Sequence, residues 1–193
     1  KALRDEFGTD LITRFPEKTH LYSDHTALLW DETSIALRKA QTNFANNQKI
    51  TVYQADRIQG ASAICHTDMM ESHALPGQLI LGNDSHTDTL GVLNCFAIGK
   101  GAIDLAGAIA YDKMIITVPE TIRINLNGKL SRGVTTKDFM LSFGSNKELK
   151  TDRIGSGRVF EFGGQALDEI PFDEQLKLTN MSIEILGFTG IIE

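Results

Sequence analysis

Short apolar runs bounded by glycine or proline alternate along this chain with stretches of helical spacing, and that alternation constrains the fold more than any other feature. "TSIALRKAQTNFANNQ" (33–48) has apolar residues at helical intervals, with Thr33 available as a cap, and "KITVYQA" (49–55) follows as a strand. "GQLILGND" (77–84) is a second strand, and "AIGKGAIDLAGAIAYDK" (97–113) suits a helix entered through Gly99 and Gly101. "KMIITVPETIRINLNGKL" (113–130) reads as strands around Pro119, with a turn at Asn127 and Gly128. "VTTKDFMLSFG" (134–144) predicts a helix, 144–157 a loop, "RVFEFGG" (158–164) a strand and "PFDEQLKLTNMSIEIL" (171–186) a helix beginning at its proline. The expected fold is therefore α/β, a layered α/β/α sandwich on a mixed or mostly parallel sheet. A boundary is expected between 113 and 120, dividing a domain over 1–115 from one over 116–193.

With 193 residues, 41 % of them hydrophobic and 23 % charged, the chain can bury a substantial core. Its 19 basic and 25 acidic residues leave a net charge of −6, which argues against nucleic acid and anionic membranes as partners. A small anionic substrate would need local positive charge. No apolar stretch approaches the ~20 residues of a membrane span, and no leader resembles a signal peptide. A soluble, cytoplasmic (or organelle-matrix) protein is the expectation. Cys65 and Cys95 lie far apart with no C-x-x-C, which disfavours a disulfide scaffold or a self-contained zinc site. A first residue that is not methionine and an apolar last stretch, "ILGFTGIIE", read as one piece of a larger assembly.

The chemistry concentrates at the ends of apolar runs. "LILGNDSHTDTLG" (79–91) places Asp84, Ser85 and His86 where a strand ends, the position at which open α/β sheets collect ligands. An isolated D-S-H could equally be a helix cap or an Asx turn. It is not isolated: "YSDHTALLWDE" (22–32) sets Asp24 beside His25 and "SAICHTDMM" (62–70) sets His66 after another apolar run, so three of the five histidines share this placement. A carboxylate beside a histidine fixes its tautomer and raises its basicity, which suits protonation of a poor leaving group such as hydroxide. On a strand, however, Asp24 and His25 would point apart. His20 and His73 read as ordinary loop histidines.

"LPGQLILGNDSHTDTLGVLNCFAIGKGAIDLAGAIA" resembles, without gaps, the signature of the aconitase and isopropylmalate dehydratase superfamily. "DH" at 24–25, "ICH" at 64–66, "VPETIRINLNGKLSRGVTTKD" at 118–138 and "LTNMSIE" at 178–184 agree with it in order, so the likeness spans residues 18 to 193. The wording "NGKLSRGVTTKD" leans toward the isopropylmalate and homoaconitate branch.

The resemblance implies an aconitase iron–sulfur domain type of fold and a hydro-lyase that moves a hydroxyl between neighbouring carbons of a di- or tricarboxylic acid. It implies a [4Fe–4S] cluster whose open iron acts as a Lewis acid. By the same resemblance Asp24 pairs with His25, the proton donor to the departing hydroxyl. Asp84 pairs with His66 and Glu184 with His86, Ser85 binds a substrate carboxylate, and Asn180 lies near the cluster. A helix carrying Asn180 and Glu184 four residues apart would set both on one face. The cluster cysteines, the catalytic serine and the substrate-gripping arginines of the family have no counterpart here, so the implied partners are the remaining large-subunit domains and a small swivelling subunit. Two readings stay open: part of a dehydratase large subunit, or a cluster-free relative serving as a binding module. Phosphate binding through "GKGAIDLAG" lacks both the dinucleotide and the P-loop spacing.

Overall fold

A computed structural model describes residues 13–193, with the side chain of Lys150 excepted. The contacts among the described residues divide into two compact units, one running up to Glu71 together with Ala102–Ile115, the other Ser72–Gly101 with Ile116–Glu193.

In the first unit, β1 (His20–Tyr22) and β2 (Thr51–Tyr53) pair in parallel, His20 opposite Thr51, with helix α1 (Glu32–Gln48) between them in sequence. Parallel neighbours need such a crossover, because a tight turn can only reverse the chain. The helix starts one position earlier than Thr33 suggests. Asp31 is the cap, its carboxylate accepting from the Ser34 amide at 3.0 Å, and α1 ends where Lys49 turns left-handed at φ 58°. A small antiparallel pair, β3 (Ala55–Asp56) and β4 (Gly60–Ala61), precedes the short helix α2 (Cys65–Asp68), which runs into a wider turn over Met69–His73. Helix α3 (Ala102–Tyr111) completes the unit.

In the second unit, β5 (Leu79–Gly82) and β6 (Phe96–Gly99) are parallel, joined by a 3₁₀ stretch over Ser85–Leu93. Strands β7 (Thr121–Asn125), β8 (Val159–Gly163) and β9 (Thr189–Ile192) form a parallel three-stranded sheet in that order. Helices α4 (Thr136–Gly144), α5 (Lys147–Lys150) and α6 (Phe172–Asn180) accompany them. Central β8 supplies Phe160 and Phe162, both fully buried together with Leu90, Ile98, Met140 and Leu178. Edge strand β7 instead alternates half-buried and exposed positions, as expected of a strand with one covered face.

The α/β class and the parallel pairing are those the alternation predicts. Within the second unit, Gly91 lies against Gly190, so close that a Cβ on Gly91 would fall 1.8 Å from the Gly190 carbonyl oxygen. Several details differ: residues 97–99, expected to open a helix, belong to strand β6, and α5 forms within the expected loop 144–157. The strand expected over 113–130 forms only at 121–125, since Pro119 offers no ladder donor and Ile115 and Val118 are exposed. The helix expected over 171–186 ends at Asn180. Ser182 turns its hydroxyl back onto the Leu178 carbonyl at 2.9 Å, and a separate 3₁₀ turn, Ile183–Ile185, closes with Leu186 left-handed at φ 69°. Among the described residues no helix is long and apolar enough to cross a membrane.

Candidate functional site

In the first unit the D-H and C-H segments meet. The end of β1 is fixed by α1, whose Gln41 donates to the Tyr22 carbonyl at 2.9 Å and accepts from the Ser23 hydroxyl at 2.7 Å. The chain then enters a 3₁₀ turn, Asp24–Thr26, followed by a loop that buried Arg38 holds by donating to the Thr26 and Leu29 carbonyls at 2.6 and 2.8 Å. A turn, unlike a strand, lets neighbouring side chains converge. The Asp24 carboxylate lies 3.1 Å from His25 Nδ1, and its other oxygen accepts from the Cys65 amide at 2.9 Å, at the first residue of α2. Tyr22 donates to Asp68 at 2.6 Å, at the last residue of the same helix. Strand β1 and its following turn therefore grip α2 at both ends, with His66 carried between the two clamps.

Two ionisations respond to this arrangement. Burial on its own would raise the Asp24 carboxyl, but the Cys65 amide, His25 and the Cys65 thiol all hydrogen-bond its charged form and hold it below the ordinary value. Burial, followed by the bond to Asp68, pushes the Tyr22 phenol upward, so it remains a donor. The His25 side chain is 62 % exposed while that of Asp24 is 10 % exposed, so the imidazole is held from beneath and open from above.

In the second unit the D-S-H motif sits directly after β5. Asp84 caps the 3₁₀ stretch, accepting from the His86 amide at 2.7 Å, while the Thr87 hydroxyl donates to the Asp84 carbonyl at 2.6 Å. The turn is pressed onto β6, where a Cβ on Gly99 would stand 2.6 Å from the Asp84 carbonyl oxygen. His86 Nε2 lies 3.0 Å from a Glu184 carboxylate oxygen, and Nδ1 lies 3.2 Å from the Ser85 hydroxyl and 3.8 Å from Asp84. With its proton on Nε2, the ring donates to Glu184 and accepts from Ser85.

Asn180 and Glu184 are not on one helical face, because α6 has ended between them; both nevertheless reach the same 3₁₀ stretch. Asn180 donates to the Thr89 hydroxyl at 2.7 Å, and Thr89 in turn donates to the His86 carbonyl at 2.7 Å. Glu184 arrives from the following turn.

Asp88 is a residue that sequence reasoning missed. It is 2 % exposed, one oxygen accepts from the Ile183 amide at 3.2 Å, and the other is buried with no hydrogen-bond partner among the described residues. Burial, reinforced by the nearby charges of Asp84 and Glu184, pushes its carboxyl up to about 8 against the opposing Ile183 bond. At neutral pH it therefore holds a proton, and it ties the turn carrying Glu184 to the turn carrying His86. An acidic residue set among small and apolar neighbours in "TDTLGV" (87–92) was the signal available in the sequence.

Three thiolates are needed to hold a cluster of the [4Fe–4S] type with one open iron, and the chain has two cysteines. Cys95 is completely buried with its thiol donating to the Leu75 carbonyl at 3.2 Å, which leaves Cys65. The residues of this chain do not fit that group.

Comparison with known proteins yields a family model described as the Aconitase family (aconitate hydratase), matching residues 17–193. The chain is 32 % identical over 197 residues to the 3-isopropylmalate dehydratase large subunit 1 of Archaeoglobus fulgidus, covering 100 % of this chain and 44 % of that protein. It is 35 % identical over 179 residues to the probable methanogen homoaconitase large subunit of Methanosarcina mazei, covering 92 % and 44 %. A third relative, the 3-isopropylmalate dehydratase large subunit gloJ of Glarea lozoyensis, is 40 % identical over 134 residues, covering 69 % and 15 %. The chain thus spans less than half the length of these relatives.

Proposed function

Because this chain belongs to the aconitase family, we propose that it supplies proton-handling groups to a hydro-lyase that dehydrates and rehydrates a hydroxy di- or tricarboxylic acid of the isopropylmalate or homoaconitate kind. The observation that carries the reading is the pairing of motif histidines with carboxylates, Asp24 with His25 at 3.1 Å and Glu184 with His86 at 3.0 Å. Paired imidazoles at the ends of strands are what elimination of water demands, since hydroxide leaves only when a proton reaches it.

In this reading Asp24 holds His25 through Nδ1, and the exposed Nε2 edge of the protonated ring gives its proton to the departing hydroxyl. The C–O bond breaks, water leaves, and the neighbouring carbon loses a proton to a base outside this chain, so that an alkene forms. In the reverse direction the His25 ring takes the proton back from water. His86, oriented by Glu184 and Ser85, holds that water or hydroxide, and His66 and Asp84 keep the acid–base roles that the family resemblance implies for them. Ser85 also donates to a substrate carboxylate, and Asn180 steadies the motif turn through Thr89. The iron–sulfur cluster that the family implies would take its thiolates from outside this chain. The remaining large-subunit domains and a small subunit are the partners this assigns.

The test is an assay of the complete enzyme containing this chain, following the ultraviolet absorbance of the unsaturated acid formed from isopropylmalate and from homocitrate. Alkene formation from either is expected. Absence of alkene from both, with the enzyme folded and its cofactor loaded, would overturn the proposal.

A further inference from the structure

Asp24, His25 and Cys65 bring together three donors of different chemistry. One carboxylate oxygen, one imidazole nitrogen and the sulfur all lie within 4.8 Å of one another. We propose that these three side chains form a binding site for a divalent cation of the zinc class, with the fourth coordination position open to solvent.

The geometry favours a compact tetrahedral ion. Zinc binds nitrogen and carboxylate oxygen at ~2.0–2.2 Å and sulfur at ~2.3 Å, so tetrahedral donors stand roughly 3.3–3.8 Å apart. The 3.1 Å separation of Asp24 Oδ1 and His25 Nδ1 is already close to that bite, and the Cys65 sulfur lies within 4.8 Å of both donor atoms. The second Asp24 oxygen keeps its bond from the Cys65 amide, which orients the carboxylate as hydrogen bonds behind metal ligands commonly do. A largely exposed His25 leaves room for water as the fourth ligand.

The donor set also selects the ion. Thiolate with imidazole favours zinc, cobalt or ferrous iron, whereas magnesium and calcium seek oxygen ligands. Binding follows M²⁺ + Cys65–SH → M²⁺–S⁻–Cys65 + H⁺ with neutral His25; a proton held on His25 Nδ1 moves to Nε2, or is released to solvent as a second H⁺ if the ring begins protonated. A cation here and a proton on Nδ1 are mutually exclusive. Cation binding at these three donors requires no catalytic role for His25.

Cobalt(II) titration of this chain, under argon with a thiol-free reductant, tests it. The expected result is one equivalent bound, with visible d–d bands of a tetrahedral ion and a thiolate-to-cobalt charge-transfer band in the near ultraviolet. Zinc should displace the cobalt and excess magnesium should not. The charge-transfer band should vanish in Cys65→Ser, persist in Cys95→Ser, and need at least tenfold more cobalt in His25→Gln, whose exposed side chain can change without loss of the fold. Absence of the charge-transfer band in the unaltered chain, its survival in Cys65→Ser, or unchanged affinity in a His25→Gln variant with unaltered circular dichroism would each overturn the site.

Discussion

Asp88 shows how much a single side chain can contribute to the coupling of distant segments. Its carboxyl keeps a proton to about pH 8 in the folded chain, while an unfolded aspartate loses it near 3.8. Between those values the folded state binds more protons, so stability falls as pH rises from about 4 to about 8. Asp88→Asn removes that slope. Denaturant unfolding at pH 5 and pH 8 should show the variant gaining on the parent by up to ~1.4 kcal/mol per pH unit, and parallel curves would mean that the carboxyl ionises freely. Gly99 acts by its lack of a side chain. Since a Cβ there would meet the backbone of Asp84 and Ser85, Gly99→Ala should cost ~1–3 kcal/mol in chemical unfolding. A neutral effect would show that the motif turn can move aside.

At the scale of elements, α4 and α6 are joined by one acidic side chain. Glu174 accepts from the Thr136 amide at 3.0 Å and from its hydroxyl at 2.7 Å, and it pairs with Lys177. The Lys177 ammonium first, and Thr136 second, hold the Glu174 carboxyl down to about 2. A depressed carboxylate contributes stability that is complete above its unfolded value of 4.5 and disappears as pH falls toward 2. Glu174→Gln should therefore flatten the acid limb of a stability–pH curve between pH 5 and 2; an unchanged limb would remove Glu174 from the account. The helices also show what periodicity can and cannot tell. Strands β5 and β8 were legible because apolar runs bounded by glycine report burial directly. The end of α6 was not, because the apolar spacing continues through Ile183 while the helix is stopped by Ser182 and a left-handed Leu186, neither of which breaks the pattern of letters.

Across the whole chain, the local part of each site was readable and the long-range part was not. Asp24 beside His25 could be proposed from adjacency, but adjacency leaves open whether side chains converge, and only the 3₁₀ turn decides it. The 98-residue gap between His86 and Glu184 leaves no mark in spacing; the family resemblance alone suggested that pairing. Asp88 escaped for the same reason, since the amide that bonds its carboxylate belongs to Ile183, 95 residues away. The close approach of Gly91 to Gly190 is likewise something composition cannot announce. The central claim concerns proton delivery by His25, and it is tested most directly by turnover of the complete enzyme carrying His25→Gln. The account predicts a ~10²–10⁴-fold fall in kcat for dehydration, as for a lost general acid, with the cofactor spectrum and circular dichroism unchanged. Parental turnover in that variant would contradict it.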